Sequence, residues 1–445
     1  MNRWIIGCFI LALWSPASLK AQATLSPEAL YTRCYGQITQ RMASPLDPAY
    51  GSIRGGEVDP IDACMAMLEG VRLEGMPATL VGENSINRAI LNSFHRLHAS
   101  WFHNKFLRHN DARELFDGTS PALYVTRSLF SSLPASSILT SEDDLRPYRV
   151  NHHPDRGIRN GQKSSYALGD ALVFADRGDL RGFEIVPLQS QNYTDRSDRT
   201  GTVTMRRSYG GGFLGSSLYL GTMYESYSRS DGGIRMPRRY GRDFFRDVLC
   251  RELPVVRKED AAPFISSISS ISFRTTGDCV RCHVSMDRAA AGVRNLRFNN
   301  IRGSGRTINT PYLRDPTRPS DEGAWPIWGD GTYDQKPPIG VLYYRDHAGQ
   351  LVDRSFTSPA GLGRALQDLD DPYVCLAKRY YQYFTGFDVN ISDLGDSDAP
   401  DLSEGHRRHR LFVIGLGQRL KSHQNLTRLI EEILKSSQYR QSDFY

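Results

Sequence analysis

The chain has 445 residues, of which 40% are hydrophobic and 23% are charged, and its formal net charge is +6 at pH 7. This length allows two or three domains with substantial cores, and the composition is that of an ordinary globular protein rather than a disordered or membrane-embedded one. So small a positive charge gives no argument for nucleic acid, and we predict no nucleic-acid partner.

The N-terminus has the pattern of an export signal. A basic start at Asn2-Arg3 precedes an apolar run from Trp4 to Trp14, and Ala21-Gln22-Ala23 offers a cleavage site. The run is too short to span a bilayer, so we predict no transmembrane anchor. The sequence therefore predicts a signal peptide over residues 1–23 and a mature chain that is periplasmic or secreted.

Residues 24–133 are predicted to form an N-terminal helical domain. Ser26-Pro27 and Asp59-Pro60 are typical helix starts, because a capping side chain precedes a proline in the first turn. Apolar residues at helical spacing predict a helix from about Glu83 to Leu107, and Ser120-Pro121 begins another that runs through Leu129. His98 lies near the apolar stripe of the Glu83 helix, where packing is expected more often than ligation.

Residues 134–247 form a middle region rich in glycine, arginine, serine and tyrosine, and it is predicted to be mostly loops. His152 and His153 lie in a polar turn, and adjacent histidines in a loop are more often unliganded than metal-bound. Gly215 to Leu220 is predicted to be a short buried helix or strand.

The segment Cys279-Val280-Arg281-Cys282-His283 has the Cys-x-x-Cys-His pattern of covalent haem attachment. Each thiol can add across one porphyrin vinyl group, and His283 would then be the proximal iron ligand. A zinc site would need further ligands at matching spacing, and a redox dithiol would be expected at a strand-to-helix junction. We predict one covalent haem c, with Met286-Asp287-Arg288 opening a helix or loop at the edge of the porphyrin.

The sixth iron ligand is predicted less directly. No methionine follows Met286, and that residue lies too near His283 to reach the opposite face of the haem. Met236 is favoured, because it lies in the segment that leads to the haem motif. The other candidates are Met205, Met223, His98, His347, His406, His409 and His423.

A basic run precedes Cys250 and comprises Arg235, Arg238, Arg239, Arg242 and Arg246. These side chains could pair with haem propionates or with an acidic partner protein, and the alternative is a solvated helix face.

The haem-attachment region is predicted to span residues 248–356 and to end in a β-hairpin over Ile339 to Phe356. A C-terminal helical domain over residues 357–445 follows. Its four predicted helices are Ser358–Leu369, Asp371–Phe384, Gly405–Gly417 and Gln424–Ser437. The predicted fold class is mainly α, a multi-segment helical protein with a c-type haem module and a small β-hairpin element.

Removing the signal peptide and the two motif cysteines leaves Cys34, Cys64, Cys250 and Cys375. An even number in an oxidising compartment predicts two disulfides, and four cysteines allow three pairings. We favour Cys34–Cys64, since both lie in helical patterns joined by one connection, and Cys250–Cys375 follows by default. Buried free thiols are the alternative.

Several segments in order resemble a known family. They are Pro237–Arg242, Val248–Pro254, Cys279–His283 with Met286-Asp287, Tyr373–Gly386 and Leu429–Arg440. Their sequence is similar to that of planctomycete-type cytochrome c proteins, exported proteins in which domains of unknown function surround one Cys-x-x-Cys-His. The resemblance covers about half of the chain, mainly residues 205–445, and Arg288 stands where the family usually has proline. It implies covalent haem, export and a C-terminal helical domain.

These observations predict an exported mono-haem c-type cytochrome that acts in electron transfer with a redox partner protein. The alternatives are a haem enzyme or small-ligand sensor with an open sixth iron site, and a surface protein whose haem is structural. Nothing resembles a Ser-His-Asp, Walker, dinucleotide or zinc-protease signature, so hydrolase or dehydrogenase chemistry is not supported.

Overall fold

The computed structural model describes residues 24–102, 119–149, 179–185, 189–194, 200–205, 208–223, 235–269, 272–303, 306–315 and 333–441. The signal-peptide region and the loop histidines His152 and His153 lie outside the described residues. Within the described residues the protein is mainly α with small antiparallel sheets, as the sequence predicted.

Fifteen α-helices are present in the described residues. They are α1 (Pro27–Thr39), α2 (Pro48–Arg54), α3 (Pro60–Glu69), α4 (Ser85–Ser100), α5 (Ser120–Phe130), α6 (Ser137–Thr140), α7 (Ser217–Thr222), α8 (Arg235–Leu249), α9 (Lys258–Ala261), α10 (Gly277–Ala290), α11 (Pro359–Gln367), α12 (Asp371–Thr385), α13 (Glu404–His423), α14 (Leu426–Leu434) and α15 (Ser437–Arg440).

Side-chain caps explain why several of these helices begin where they do. Ser26 accepts a hydrogen bond from the backbone N–H of Ala29, and Asp59 accepts one from Ile61. In both helices the next residue is proline, which suits the first turn because its missing N–H would have no partner there. The same Ser-Pro signal starts α11 at Ser358.

The strands form one small sheet and three hairpins. They are β1 (Leu73–Glu74), β2 (Ala78–Leu80), β3 (Leu145–Arg149), β4 (Leu180–Ile185), β5 (Gln189–Thr194), β6 (Thr200–Met205), β7 (Leu296–Gly303), β8 (Arg306–Leu313), β9 (Gly340–Arg345) and β10 (Leu351–Phe356). The four-stranded sheet has the order β1-β2-β4-β3, and β5-β6, β7-β8 and β9-β10 pair antiparallel.

The sequence predicted the β9-β10 hairpin but not the other strands. The middle region, predicted to be mostly loops, contains β3 to β6, and the predicted haem-attachment region contains β7 and β8. For β4 the reason is that it pairs with β2, about a hundred residues away in the chain, and such a pairing leaves no local signal. The helix predicted from Glu83 to Leu107 is observed over Ser85–Ser100.

One hydrophobic cluster runs through most of the molecule. It contains residues from each predicted segment, including Leu30, Phe94, Phe213, Tyr344 and Tyr439. The first and last described segments also meet, because the Arg33 guanidinium donates to the carbonyl oxygen of Tyr439 at 3.0 Å. The helical N- and C-terminal parts therefore share a core, and the domain boundaries stay predictions.

Two disulfides join the four cysteines that the sequence assigned to pairs. Cys34 on α1 pairs with Cys64 on α3 at a Cα–Cα distance of 6.3 Å. Cys250, just after α8, pairs with Cys375 on α12 at 5.3 Å. The predicted pairing is confirmed, and two disulfides are compatible with an exported protein. In the described part of the chain, no helix combines the length and apolar character needed to cross a membrane.

A buried carboxylate stands at the junction of the β9-β10 hairpin and α12. Asp371 is 1% exposed and accepts hydrogen bonds from the Arg251 guanidinium at 3.1 Å and the Tyr344 hydroxyl at 3.0 Å. His347, at the tip of the hairpin, donates its backbone N–H to the same carboxylate at 3.1 Å, and its Nδ1 lies 2.9 Å from Oδ1. This cluster ties three elements together.

Gly417 is required by the close packing of α12 against α13. A Cβ at this position would overlap the backbone of Val374. We expect Gly417→Ala to lower the free energy of unfolding by about 1–3 kcal/mol, because the two helices would have to separate. Urea denaturation measures this change.

Gly415, two residues earlier on α13, is the matched control. There a Cβ would meet only the flexible end of Arg419, so Gly415→Ala should raise the free energy of unfolding by about 0.5–1 kcal/mol through helix propensity. Equal effects at both positions would contradict the packing argument.

Candidate functional site

The Cys-x-x-Cys-His segment occupies the first two turns of α10. Val280 and Val284 are fully buried and pack with Val256 and Tyr343 in a small satellite core. The neighbouring stripe of the helix is more open: Cys279 is exposed, and Cys282 and His283 are half-buried. The helix is therefore fixed by one face and presents the motif on another. Met286-Asp287-Arg288, predicted to open a helix or loop, lies inside α10 instead.

The two motif thiols are free, whereas the other four described cysteines are paired. Cys279 and Cys282 lie three residues apart, so they project from successive turns on one side of the helix. Burial raises the pKa of the Cys282 thiol, although the nearby Arg281 charge opposes this shift. That thiol is consequently protonated at neutral pH and is not activated as a thiolate.

His283 is held by a closed ring of contacts. Its Nδ1 lies 3.1 Å from a carboxylate oxygen of Asp287, one helical turn later, and its imidazole stacks on Phe273 with centroids 4.0 Å apart and planes 17° apart. Arg238 on α8 grips Asp287 through two hydrogen bonds of 2.6 and 2.8 Å, and its guanidinium lies 5.0 Å from the Phe273 ring centroid. Within the described residues, Nε2 of His283 has no hydrogen-bond partner.

The close packing of α8 against α10 makes this ring possible. A Cβ at Gly241 would overlap the carbonyl oxygen of Met286, so only glycine allows the two backbones to approach this closely. The approach brings Arg238, one turn earlier on α8, within reach of the fully buried Asp287.

Arg281, inside the motif itself, anchors the other side of α10. It is 5% exposed and donates to the carbonyl oxygen of Val256 at 3.1 Å. Its guanidinium also pairs with Asp396 and Asp398, in the segment between α12 and α13. The attachment helix is thus clamped to a segment more than a hundred residues later in the chain.

Two apolar side chains are exposed in the segment before α10. Ile268 is 95% exposed and Ile265 is 41% exposed. Ile265 lies close to the start of α10, since a Cβ on Gly277 would be 3.6 Å from its Cδ1. The two ends of the segment from Ser266 to Arg274 are joined, because the Ser266 N–H donates to the Arg274 carbonyl oxygen at 2.8 Å.

The basic run on α8 is largely paired within the protein. Arg238 binds Asp287, Arg242 binds Asp243 at 2.6 Å, and Arg246 binds Asp247 at 2.9 Å. Asp243 and Asp247 are buried on the same helix. For Arg238 the predicted alternatives were pairing with a haem propionate or a solvated helix face. Its partner is instead the carboxylate that contacts His283.

The histidines considered as the sixth iron ligand contact other side chains, and Met236 stays a prediction. His98 is fully buried in the helical core, where its nitrogens contact the hydroxyl groups of Thr126 at 2.9 Å and Tyr380 at 2.8 Å. His347 contacts Asp371, and Met236 lies in the first turn of α8, with its side chain outside what the structure describes. The remaining candidate histidines have other neighbours: His406 contacts Ser403, His409 contacts Tyr381, and His423 contacts Glu432.

The predicted function is therefore corrected. In the described ranges, no group of three or more His, Cys, Asp and Glu side chains could hold a metal ion. This finding contradicts the prediction of a mono-haem cytochrome that acts in electron transfer, together with its alternatives of a haem enzyme, a sensor or a structural haem protein. The redox partner predicted with it stays a prediction.

The fold and the site define a mainly α protein with a free dithiol beside a carboxylate-bound histidine. Comparison with known proteins adds no relative: no family model matches the chain, and neither a curated protein nor a solved structure does.

Sequence reasoning named Asp287 and Arg238 without connecting them to His283, and it missed Phe273. Asp287 carried a usable signal, because a residue four positions after His283 on a helix lies on the same face. Arg238 and Phe273 reach the histidine only through tertiary packing and gave no such signal.

Proposed function

We propose that the free dithiol of α10 is a covalent attachment site and that its ligand is one haem c. The observation that carries the proposal is the state of the cysteines: the described part of the chain pairs four of them and leaves free only Cys279 and Cys282, directly before His283. The proposal concerns attachment and assigns no electron-transfer role.

The residues present fit this group on three counts. The two thiols lie on one side of a helix that is anchored by its other face. Ile265, close to the start of the same helix, offers exposed apolar surface that a porphyrin would cover. His283 keeps Nε2 without a hydrogen-bond partner in the described residues, so this atom is available to an iron ion. Attachment needs no group of metal ligands, because the porphyrin nitrogens already hold the iron.

The chemistry of attachment balances without an oxidant or a reductant. Each thiol adds across one vinyl group: a bond forms between Sγ and one vinyl carbon, and the thiol hydrogen is transferred to the other carbon. Because burial keeps the Cys282 thiol protonated, this sulfur retains the hydrogen that the addition requires. A bound haem would supply an iron centre next to His283.

Export is part of the proposal. The predicted cleavable signal over residues 1–23 would place the mature chain in the periplasm or outside the cell, where the two disulfides can form. In that compartment, thioether bonds would also protect Cys279 and Cys282 from oxidation. Membership of the planctomycete-type cytochrome c family remains a proposal that rests on the motifs alone.

A haem stain of the denatured, full-length chain tests the proposal. The chain is exported in a host that makes c-type cytochromes, and we expect haem to stay bound in denaturant and to give a c-type pyridine spectrum. Cys279→Ala/Cys282→Ala should lose all covalent haem. Asp278→Asn, which changes an exposed neighbour on the same turn, should retain it.

A count of reactive thiols distinguishes a chain with attached haem from a chain with free cysteines. If haem is attached, the denatured but unreduced wild-type chain should show no reactive thiol. Two reactive thiols per chain and no stained haem would contradict the proposal and indicate a free dithiol instead.

A further inference from the structure

We infer that Asp287, held by Arg238, is a positioning residue that keeps the proton of His283 on Nδ1 and leaves Nε2 free to bind a metal ion. This inference rests on the proposed haem attachment, since only a ligand at Nε2 gives that arrangement a purpose. Nothing in the motif itself demands it: Cys279, Cys282 and His283 suffice for attachment.

The first step of the argument is the chemistry of the carboxylate. Asp287 is fully buried, and both of its oxygens accept hydrogen bonds from Arg238. An acceptor 3.1 Å from Nδ1 requires a donor there, so the neutral imidazole must carry its hydrogen on Nδ1. A second group that fixes the tautomer of a ligating histidine is a common property of metal sites.

The second step is the orientation of the ring. A quarter turn of the imidazole about its Cβ–Cγ bond would break both the contact with Asp287 and the stacking on Phe273, and a half turn would break the contact with Asp287 alone. Phe273 is in turn packed under the Arg238 guanidinium, which also holds Asp287. The four side chains therefore form a closed circuit in which each limits the movement of the next.

The third step is the source of this rigidity. Arg238 belongs to α8 and Phe273 to the segment before α10, so two elements outside the motif hold the histidine. Gly241 sets the distance between α8 and α10, because a Cβ there would overlap α10. The circuit is a feature of the fold rather than of the five-residue motif.

Nitrogen NMR of the histidine-labelled, full-length chain tests the inference. The haem-free chain is used, and the His283 signals are identified with His283→Gln. In the wild type we expect Nδ1 to be protonated and Nε2 to be unprotonated. In Asp287→Asn the side-chain amide would donate to Nδ1, so the major species should become the one protonated on Nε2.

Asp353→Asn is the matched control. Asp353 is an exposed residue of β10 and contacts Arg288 of α10 at 3.4 Å. Its replacement should leave the His283 tautomer unchanged. A wild-type majority protonated on Nε2 overturns the inference. So does a folded Asp287→Asn chain with the wild-type tautomer.

Two further readouts keep the outcomes separate. If Asp287→Asn does not fold, the inference is tested by the wild-type tautomer and by Phe273→Leu. Phe273→Leu should keep Nδ1 of His283 protonated and lose the ring-current shift that stacking causes. An unaltered shift overturns the circuit. The haem stain is scored independently. Absence of covalent haem with the predicted tautomers defeats the proposed function, whereas covalent haem with a tautomer indifferent to Asp287→Asn defeats the positioning role alone.

Discussion

Replacing Asp371 with asparagine is expected to lower the free energy of unfolding by about 3–5 kcal/mol. The substitution removes the charge from a fully buried carboxylate while Arg251, 3% exposed, stays in place. It also places amide hydrogens opposite donors from Tyr344 and His347. A buried cation without its counter-charge is costly, and this cost dominates the effect. Urea denaturation at neutral pH measures it.

Asp370, the residue before Asp371, is the matched control. Asp370 pairs with Lys421 at 2.7 Å, but both side chains are about one-third exposed. Asp370→Asn should therefore change the free energy of unfolding by less than about 1 kcal/mol. If the two neighbouring substitutions had similar effects, burial could not be the cause.

The effect of Asp371→Asn should also depend on pH. Burial raises the pKa of Asp371, but the hydrogen bond from His347 and the charge of Arg251 outweigh it and hold the pKa below its usual range. The carboxylate therefore stabilises the fold fully above the unfolded pKa of about 3.9, and this contribution is lost as the pH falls through the lower, folded value. The difference between wild type and Asp371→Asn should shrink in acid.

Removing the Cys250–Cys375 disulfide by Cys250→Ala/Cys375→Ala should lower the free energy of unfolding by about 2–5 kcal/mol. The bond closes a loop with a sequence separation of 125, and its loss gives the unfolded chain much more freedom. It also joins the end of α8 to α12, next to the Asp371 cluster. Chemical denaturation without reductant measures the loss.

The second disulfide tests the dependence on loop length. Cys34 and Cys64 are separated by only 30 residues, so removing both should cost about 1 kcal/mol less than removing the longer cross-link. A larger loss from the shorter loop would show that local packing, rather than loop closure, sets the stability of this region.

The parts of the fold that the sequence predicted are those with local signals. The starts of α1 and α3 follow from a capping side chain and a proline, and the β9-β10 hairpin follows from Asp346–Gly349 at its tip. The sequence analysis did not identify the local hairpins β5-β6 and β7-β8, and the missed strand β4 depends on a partner far along the chain. Gly182 of β4, for example, pairs with Thr79 of β2, and neither segment is long or apolar enough to indicate a strand alone.

The site shows the same division. The motif located both thiols and the histidine, the count of the remaining cysteines predicted two disulfides, and the helical patterns around Cys34 and Cys64 favoured the pairing. Met236, the favoured sixth ligand, stays a prediction, whereas the candidate His98 lies in the helical core, where its two nitrogens contact Thr126 and Tyr380. A single sequence shows which residues are chemically able to bind iron. The side chains that contact those residues instead of iron are set by the tertiary structure.

The clamp on Arg281 has a consequence for the order in which the chain is made. Its partners Asp396 and Asp398 lie 115 and 117 residues later, so they leave the ribosome well after the thiols. During that interval Cys279 and Cys282 belong to a nascent chain whose helix has not yet gained its final anchor. A modifying enzyme would therefore meet a looser segment early in synthesis than in the finished protein.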